Sequence, residues 1–223
     1  MTSPNTAHPV FEPILAELSE RHRDEVLAAF AAVEHSAHPV PEVQMLALRD
    51  ATLRRNLQRL LHRVGRTLVP VGGTQWTSGY RDDVAAELTG AGWNALPVID
   101  RAVLVLVLIH SVAIPRSQGL LSGDSWISAQ PTPIDEILRY AQPGKGDVRI
   151  ALQRLRAAGL VQLAPTRGRT SAGRTAYVPG PQLHRLTPVA RTALQHELIL
   201  AAAPHSPLAA AIRARRAHPR GEP

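Results

Sequence analysis

The 223-residue sequence contains no cysteine. That absence excludes a disulfide framework, a thiol nucleophile and a zinc site with cysteine ligands. Aromatic residues make up only 4% of the chain, so the core has to be built mainly from Leu, Val, Ile and Ala. Such small aliphatic side chains favour a mainly helical protein with closely packed elements.

The sequence also lacks any segment that is typical of export or membrane anchoring. Its first residues, MTSPNTAHPVFEP, have no basic stretch followed by an apolar one, as a secretory signal would. The most apolar run, 102–109, is far shorter than the roughly 20 residues that span a bilayer. We therefore expect a cytoplasmic protein without a membrane partner.

Motifs of enzymes are missing as well. There is no Gly-rich phosphate loop, no G-x-S-x-G and no H-E-x-x-H. His35 and His38 form a pair in a Pro-rich stretch, but no acid or third ligand is spaced to help them hold a metal. His110 is expected inside an apolar helix as a buried, hydrogen-bonded residue. The sequence therefore predicts no catalytic site, no metal site and no cofactor.

Positive charge is concentrated in the second half of the chain. Residues 1–99 hold 9 arginines and 11 acids, a net charge of −2, whereas residues 100–223 hold 16 basic residues and 7 acids, a net charge of +9. Between Arg139 and Arg191 there are 10 basic residues and one acid, Asp147. Such a block is typical of a surface that binds a polyanion, most often nucleic acid, although a solvated basic surface has the same composition.

The first 99 residues are predicted to form a mostly helical domain. Apolar positions at helical spacing predict one helix from about Pro13 to Val33 and a second from about Pro41 to Val64. TLVPVGG is typical of a short strand that ends at a glycine pair, and SGYRDDVAAELTGAGW of a short helix. These patterns indicate no internal repeat.

The sequence from residue 100 onward predicts four helices and two strands. Asp100 is predicted to cap a helix through RAVLVLVLIHSVA; its β-branched residues would also suit a strand, but the elements that follow favour a helix. A polar loop leads to the short helix PIDEILRYA. Asp147 is predicted to cap a helix from Val148 to about Ala158, which Gly159 ends.

The remaining elements are two strands, a helix and a tail. LVQLAP and AYVPG are typical of two strands that flank the basic loop TRGRTSAGRT. A further helix is predicted to begin near Pro188, and residues 204–223 are predicted to form a basic, partly disordered tail.

This order of elements resembles the winged-helix family of DNA-binding domains. VRIALQRLRAAGLVQ is similar to the family's recognition helix leading into the first wing strand. HRLTPVARTAL is similar to the strand-to-helix ending of MarR- and PadR-like regulators, although Ala190 stands where those families usually have glycine. The resemblance covers less than half of the chain and implies a winged helix-turn-helix domain within residues 100–203. Residues 1–99 are then either a degenerate second winged helix or a dimerisation region.

Helix geometry assigns roles within VRIALQRLRAA. At about 100° per residue, Val148, Ala151, Leu152 and Leu155 share a face that would pack inward. Arg149, Gln153 and Arg156 share a second stripe and are side-chain types that read base edges, Arg on guanine and Gln on adenine. We expect further contacts to phosphates or to the minor groove from these basic residues: Lys145, Arg154, Arg167, Arg169 and Arg174.

Two of these neighbouring positions have a second interpretation. Arg154 points to one side of the stripe, where it would touch the DNA backbone or a neighbouring element. Ile150 is expected to be exposed, which indicates contact with a loop, the N-terminal domain or a second chain. The apolar helix after Asp100 also needs cover on several sides, which a homodimer or a close N-terminal domain would supply.

The sequence thus predicts a mainly α (α+β) protein that binds double-stranded DNA. The first hypothesis is a dimeric, sequence-specific transcriptional regulator associated with the nucleoid. A second is a MukE-like winged-helix subunit of an SMC chromosome-organising or plasmid-defence complex, which the two-domain layout and LRRNLQRLLHRVG resemble. Such a subunit binds DNA non-specifically and docks a kleisin. A plasmid replication or partition protein would use the same DNA chemistry.

Overall fold

The computed structural model describes residues 9–93, 96–121, 126, 130–141, 144–164 and 175–217. Over these residues the protein has mixed α and β structure with two antiparallel sheets of three strands each. The predicted α+β class is confirmed at this level. The chain divides into two compact units, Met1–Trp93 with His184–Thr187 and Asn94–Leu183 with Pro188–Pro223.

The first unit combines helices with a small sheet. Its elements in chain order are α1 (Glu12–Leu15), α2 (Glu20–His35), β1 (Val40–Pro41), a 3-10 turn (Glu42–Gln44), α3 (Leu46–Arg49), α4 (Ala51–Arg63), β2 (Arg66–Val71), β3 (Gln75–Tyr80) and α5 (Asp82–Gly90). The strands lie in the order β1-β3-β2, so the first strand pairs with the third. The predicted strand TLVPVGG corresponds to β2, whereas β1 and β3 were not predicted.

Capping residues interrupt the two long helices predicted in this unit. The Ser19 hydroxyl accepts a hydrogen bond from the backbone N–H of His22 at 3.4 Å, and α2 starts there. The Asp50 carboxylate accepts from the backbone N–H groups of Thr52 and Leu53, both at 2.8 Å, and starts α4. The prediction of two uninterrupted helices was wrong because a cap inside an amphipathic pattern leaves the pattern almost unchanged.

The core of the first unit lies between α1, α2, α3, α4 and the sheet. Its apolar side chains are nearly inaccessible to solvent: Ile14, Leu15, Val26, Ala29, Val33, Ala47, Leu48, Leu57, Leu60 and Leu61. Burial of this aliphatic set, at roughly 25 cal/mol per Å² of apolar surface, is the main term that holds the helices on the sheet.

Four residues from much later in the chain, His184–Thr187, belong to the first unit. Arg185 donates to the backbone carbonyls of Val33 at 3.3 Å, Glu34 at 2.9 Å and Ser36 at 2.9 Å. It also donates to the carbonyl of Ser78 at 3.2 Å and to its hydroxyl at 2.9 Å. The guanidinium thereby satisfies carbonyls at the end of α2 that have no partner within the helix.

The second unit begins with a long helix. Its elements are α6 (Val98–Leu108), a π segment (Ile109–Ala113), α7 (Ile114–Ser117), β4 (Thr132–Pro133), α8 (Ile134–Tyr140), α9 (Lys145–Ala157), β5 (Val161–Leu163), β6 (Ala176–Pro179), α10 (Pro188–Ala202) and α11 (Pro207–Ala217). A 3-10 turn, Pro181–Arg185, follows β6. The strands lie in the order β4-β6-β5.

The predicted basic tail, residues 204–223, contains helix α11, which ends at Ala217. Residues 218–223 lie outside the described residues.

The helical stretch Val98–Ser117 is long and apolar enough to cross a membrane by length and composition alone. Of its most apolar 18-residue window, 44% is buried inside the structure. The core helix of a soluble protein passes the same test, and Val103, Val107 and Leu108 do lie in the core of this unit. The helix predicted after Asp100 is confirmed.

The π segment fixes this helix to β4 through buried hydroxyl groups. The hydroxyls of Ser111 and Thr132 lie 2.7 Å apart, and the Thr132 hydroxyl donates to the carbonyl of Val107 at 3.3 Å. A π turn leaves a helical carbonyl available for such a bond. Helix α8 begins directly after β4, at Ile134.

Two predicted caps in the second unit were wrong. Pro97, not Asp100, precedes the first residue of α6, and Asp100 lies in the first turn with 2% of its surface exposed. Gly144, not Asp147, is the N-cap of α9, so that Lys145 is the first helical residue and not a residue before the helix. In each case the aspartate lies in the first helical turn, where its charge still complements the helix dipole.

Gly79 in β3 gives a direct test of how the segment His184–Thr187 packs. A Cβ atom at this position would lie 2.1 Å from the carbonyl oxygen of Arg185, so Gly79→Ala forces the segment to move. We expect a loss of about 1–3 kcal/mol in the free energy of unfolding, measured by urea denaturation. Gly90→Ala is the control, because a Cβ there meets nothing within 4 Å. Equal stability of Gly79→Ala and the unsubstituted protein would contradict this packing.

Candidate nucleic-acid interface

Helix α9 is anchored to the second unit along one apolar face. Val148, Ala151, Leu152 and Leu155 are each at most 1% exposed and pack in one cluster with residues of α6 and α8. The prediction of this inward face is confirmed. Gly159 ends the helix with a φ of 67°, which a residue with a side chain rarely adopts, and turns the chain into β5.

A stripe of α9 beside the buried face carries the side chains that the sequence predicted to read bases. Arg149, Gln153 and Arg156 are all exposed, as is Lys145 at the start of the helix. None of the four has an ion-pair or hydrogen-bond partner within the described part of the chain. Their polar groups are therefore available to an external ligand, and three of the four carry a positive charge.

Arg154 is bound within the unit. Its guanidinium donates two hydrogen bonds to the carboxylate of Asp100 on α6, Nε to Oδ2 at 2.8 Å and Nη2 to Oδ1 at 2.5 Å. The Asp100 side chain is 2% exposed, whereas that of Arg154 is 50% exposed. The hydrogen bond from Arg154 lowers the pKa of Asp100, burial opposes this, and the Coulomb attraction adds to the lowering. Of the two interpretations of Arg154, the structure shows the contact with a neighbouring element, α6. Contact of Arg154 with a DNA phosphate stays a prediction.

The predicted wing lies between β5 and β6. Leu163 pairs with Tyr177, and the backbone N–H of Ala164 donates to the carbonyl of Ala176 at 3.0 Å, so the two strands run together up to the loop. Arg167, Arg169 and Arg174 lie in that loop, outside the described residues. Their contact with DNA stays a prediction.

Exposed apolar side chains also lie on α9 and α6. Ile150 on α9 is 49% exposed, as the sequence predicted, and Val98 and Val105 on α6 are 72% and 39% exposed. Contact of Ile150 with a loop, the N-terminal domain or a second chain stays a prediction.

Sequence reasoning missed a repeat that includes this helix. LRRNLQRL in α4 and VRIALQRL in α9 are identical at five of eight positions. The structure gives both segments the same place in their units: each is buried at its first, fourth, fifth and eighth positions. Each helix also ends shortly before a glycine with positive φ, Gly65 or Gly159, that leads into a strand. An alignment of the two helical segments with each other would have shown these identities. A search of each segment for periodicity does not show them.

Asp100 makes the stability of the second unit depend on pH. Since its pKa in the folded state is lowered, its contribution is complete above the ordinary aspartate value of about 3.8 and is lost as the pH falls through the lowered value. We expect Asp100→Asn to lower the thermal midpoint at pH 7, with a difference from the unsubstituted protein that shrinks below about pH 4. Asp24→Asn, which removes an exposed carboxylate from α2, is the control. A difference that stays constant down to pH 3 would contradict the assigned ion pair.

Comparisons with known proteins leave the family open. No protein-family model matches the chain, and no curated protein matches it significantly. A solved structure described as a conserved hypothetical protein from Chlorobium tepidum is similar at 16% sequence identity and a TM-score of 0.27, covering 75% of this chain and 96% of that one.

Proposed function

We propose that the protein is a winged-helix DNA-binding protein, most simply a sequence-specific transcriptional regulator that acts as a dimer. The observation that carries this proposal is the exposed face of α9. A helix that is anchored along a fully buried apolar stripe presents Lys145, Arg149, Gln153 and Arg156 on an adjoining exposed stripe, without partners among the described residues.

The topology of the second unit supports a winged helix. Helix α6, strand β4, helices α8 and α9, and strands β5 and β6 follow in the order in which that family arranges its elements. The β5–β6 hairpin follows α9 directly in the chain, and β6 is the central strand of the sheet, between β4 and β5. A loop that carries three arginines and no acid between those strands matches the wing of a domain that binds phosphates.

The dimensions of the exposed stripe fit base reading. Arg149 and Arg156 are seven residues apart, which is about 10 Å along a helix at 1.5 Å per residue. At about 3.4 Å per base pair, that length spans roughly three base pairs. Arginine pairs bidentately with guanine and glutamine with adenine in the major groove, which is wide enough to admit a helix.

A reader of about three base pairs is too short to act alone. Two chains on a two-fold symmetric site would double the number of contacted base pairs, which is the usual arrangement for helix-turn-helix proteins. We therefore propose that two chains bind one palindromic site. The exposed apolar side chains of the second unit are candidates for the contact between the chains.

Arg149→Ala tests the base-reading assignment. We expect the variant to lose about 1–3 kcal/mol of discrimination at one base pair, because the bidentate contact to guanine is removed. The measurement is fluorescence anisotropy with the preferred duplex and with duplexes changed at single positions. Arg215→Ala on α11 removes the same charge from an exposed position and should keep the preference. If Arg149→Ala and Arg215→Ala behave alike, α9 does not read bases.

Lys145→Ala tests the proposed phosphate contact. We expect weaker binding to all duplexes alike, and a slope of log K against log salt concentration that is flatter by about 0.9, because one phosphate contact fewer releases fewer counterions. The measurement is the affinity at four or more salt concentrations. An unchanged slope would remove Lys145 from the interface.

A second candidate function is a DNA-binding subunit of an SMC complex that docks a kleisin. The observation that favours it is the pair of units with the same element order, together with the exposed Val98, Val105 and Ile150. In this function the apolar side chains bind an amphipathic helix of the partner, and the basic face binds DNA without sequence preference.

Footprinting distinguishes the two functions. A discrete protected site on genomic DNA supports the regulator. Uniform, salt-sensitive protection supports the subunit and contradicts the regulator. In the second case Ile150→Ser, which adds no charge beside the basic stripe, should abolish binding of the partner helix and leave affinity for DNA within about twofold.

A further inference from the structure

The two units share one arrangement of elements. Each runs helix, strand, short helix, longer helix, strand, strand, and each sheet has its first strand beside its third. In the first unit these elements are α2, β1, α3, α4, β2 and β3; in the second they are α6, β4, α8, α9, β5 and β6. Together with the identities between α4 and α9, this similarity indicates two copies of one module.

We infer that only the copy in the second unit reads base pairs, because helix α4 in the first unit uses the equivalent side chains to hold its own fold. Each chain then offers one reading helix, not two. This inference depends on the proposed DNA-binding function.

The first equivalent pair is Arg149 in α9 and Arg54 in α4. Arg54 donates from Nη1 to the backbone carbonyl of Leu48 at 2.7 Å. Its guanidinium carbon also lies 5.3 Å from the centroid of the Trp76 ring, a cation–π contact. Arg149 has neither kind of contact in the described part of the second unit.

The second equivalent pair is Gln153 in α9 and Gln58 in α4. The amide oxygen of Gln58 accepts from the backbone N–H of Leu68 at 2.9 Å, and its amide nitrogen donates to the hydroxyl of Thr67 at 2.9 Å. Both ends of this amide are thus engaged with β2. A bidentate contact to adenine uses both the oxygen and the nitrogen of a glutamine amide. Gln58 would therefore have to break both of its hydrogen bonds to β2 before it could bind an adenine.

The third equivalent pair, Arg154 in α9 and Arg59 in α4, binds a carboxylate in both units. Arg59 donates to the carboxylate of Glu17 at 2.9 and 3.3 Å, and Arg154 donates to that of Asp100. In both units an arginine of the longer helix is therefore tied to a carboxylate that precedes it by 42 or 54 residues. This position therefore has a carboxylate partner in both units, exposed in the first and buried in the second, whereas the other two positions have partners only in the first unit.

The hairpin and the charge of the first unit agree with this division. Val71 pairs with Gln75, so the turn between β2 and β3 has three residues, and none of them is charged. The corresponding loop of the second unit is longer and carries three arginines. Residues 1–99 have a net charge of −2, which repels a phosphate backbone, whereas residues 100–223 have +9.

The test compares matched variants of the full chain. The probes are a duplex selected by the unsubstituted protein from a random pool and a shuffled duplex of the same composition; the readouts are the ratio of the two affinities and the thermal midpoint. We expect Arg149→Ala and Gln153→Ala to reduce the ratio about tenfold or more with an unchanged midpoint. Gln58→Ala and Arg54→Ala should keep the ratio within about twofold and lower the midpoint.

Arg55→Ala and Arg63→Ala keep the test decisive if the variants at Arg54 and Gln58 do not fold. Both arginines are exposed on α4 without partners in the described part of the unit, so their removal should not disturb folding. We expect them to keep the affinity ratio. A tenfold loss in either would overturn the inference and leave DNA binding intact. An unsubstituted protein that binds both duplexes equally, or neither, would instead overturn the proposed function and the inference with it.

Discussion

Helix α9 is held by two interactions of different kinds, and the candidate surface depends on both. Burial of Val148, Ala151, Leu152 and Leu155 brings the helix onto the unit, but apolar burial has no direction and tolerates small rotations. The bidentate bond between Arg154 and Asp100 is directional and sets the rotation of the helix about its axis. With that rotation fixed, Arg149 and Gln153, on a different stripe of the helix from Arg154, are exposed to solvent.

The repeat explains how one scaffold supports two different surfaces. Both units have the buried stripe, which holds the longer helix in the core, and both have an arginine–carboxylate bond, which is exposed in the first unit and has a buried carboxylate in the second. Substitution at the outward positions removes no contact from the core, so these positions can carry different side chains in the two units. In the first unit they have become partners of β2 and of Trp76. In the second they are unengaged among the described residues, which is the condition for recognising an external ligand.

The sequence predicted features that depend on local periodicity and missed those that depend on distant residues. The buried face of α9 and the exposure of Ile150 follow from 100° per residue, and both are confirmed. The bond of Asp100 could not be predicted, because its partner lies 54 residues away and a first-turn aspartate also suits a cap. Strands β1 and β4 have two residues each, too few for any alternation. The wing arginines lie outside the described residues, so their prediction is unchanged.

We propose that the exposed stripe of α9 recognises particular base pairs. The direct test of this recognition is selection from a random oligonucleotide pool, with the unsubstituted chain and the double variant Arg149→Ala/Gln153→Ala run in parallel. We expect the unsubstituted chain to enrich a defined, two-fold symmetric motif and the double variant to enrich none. Enrichment of the same motif by both proteins, or of no motif by either, would contradict it.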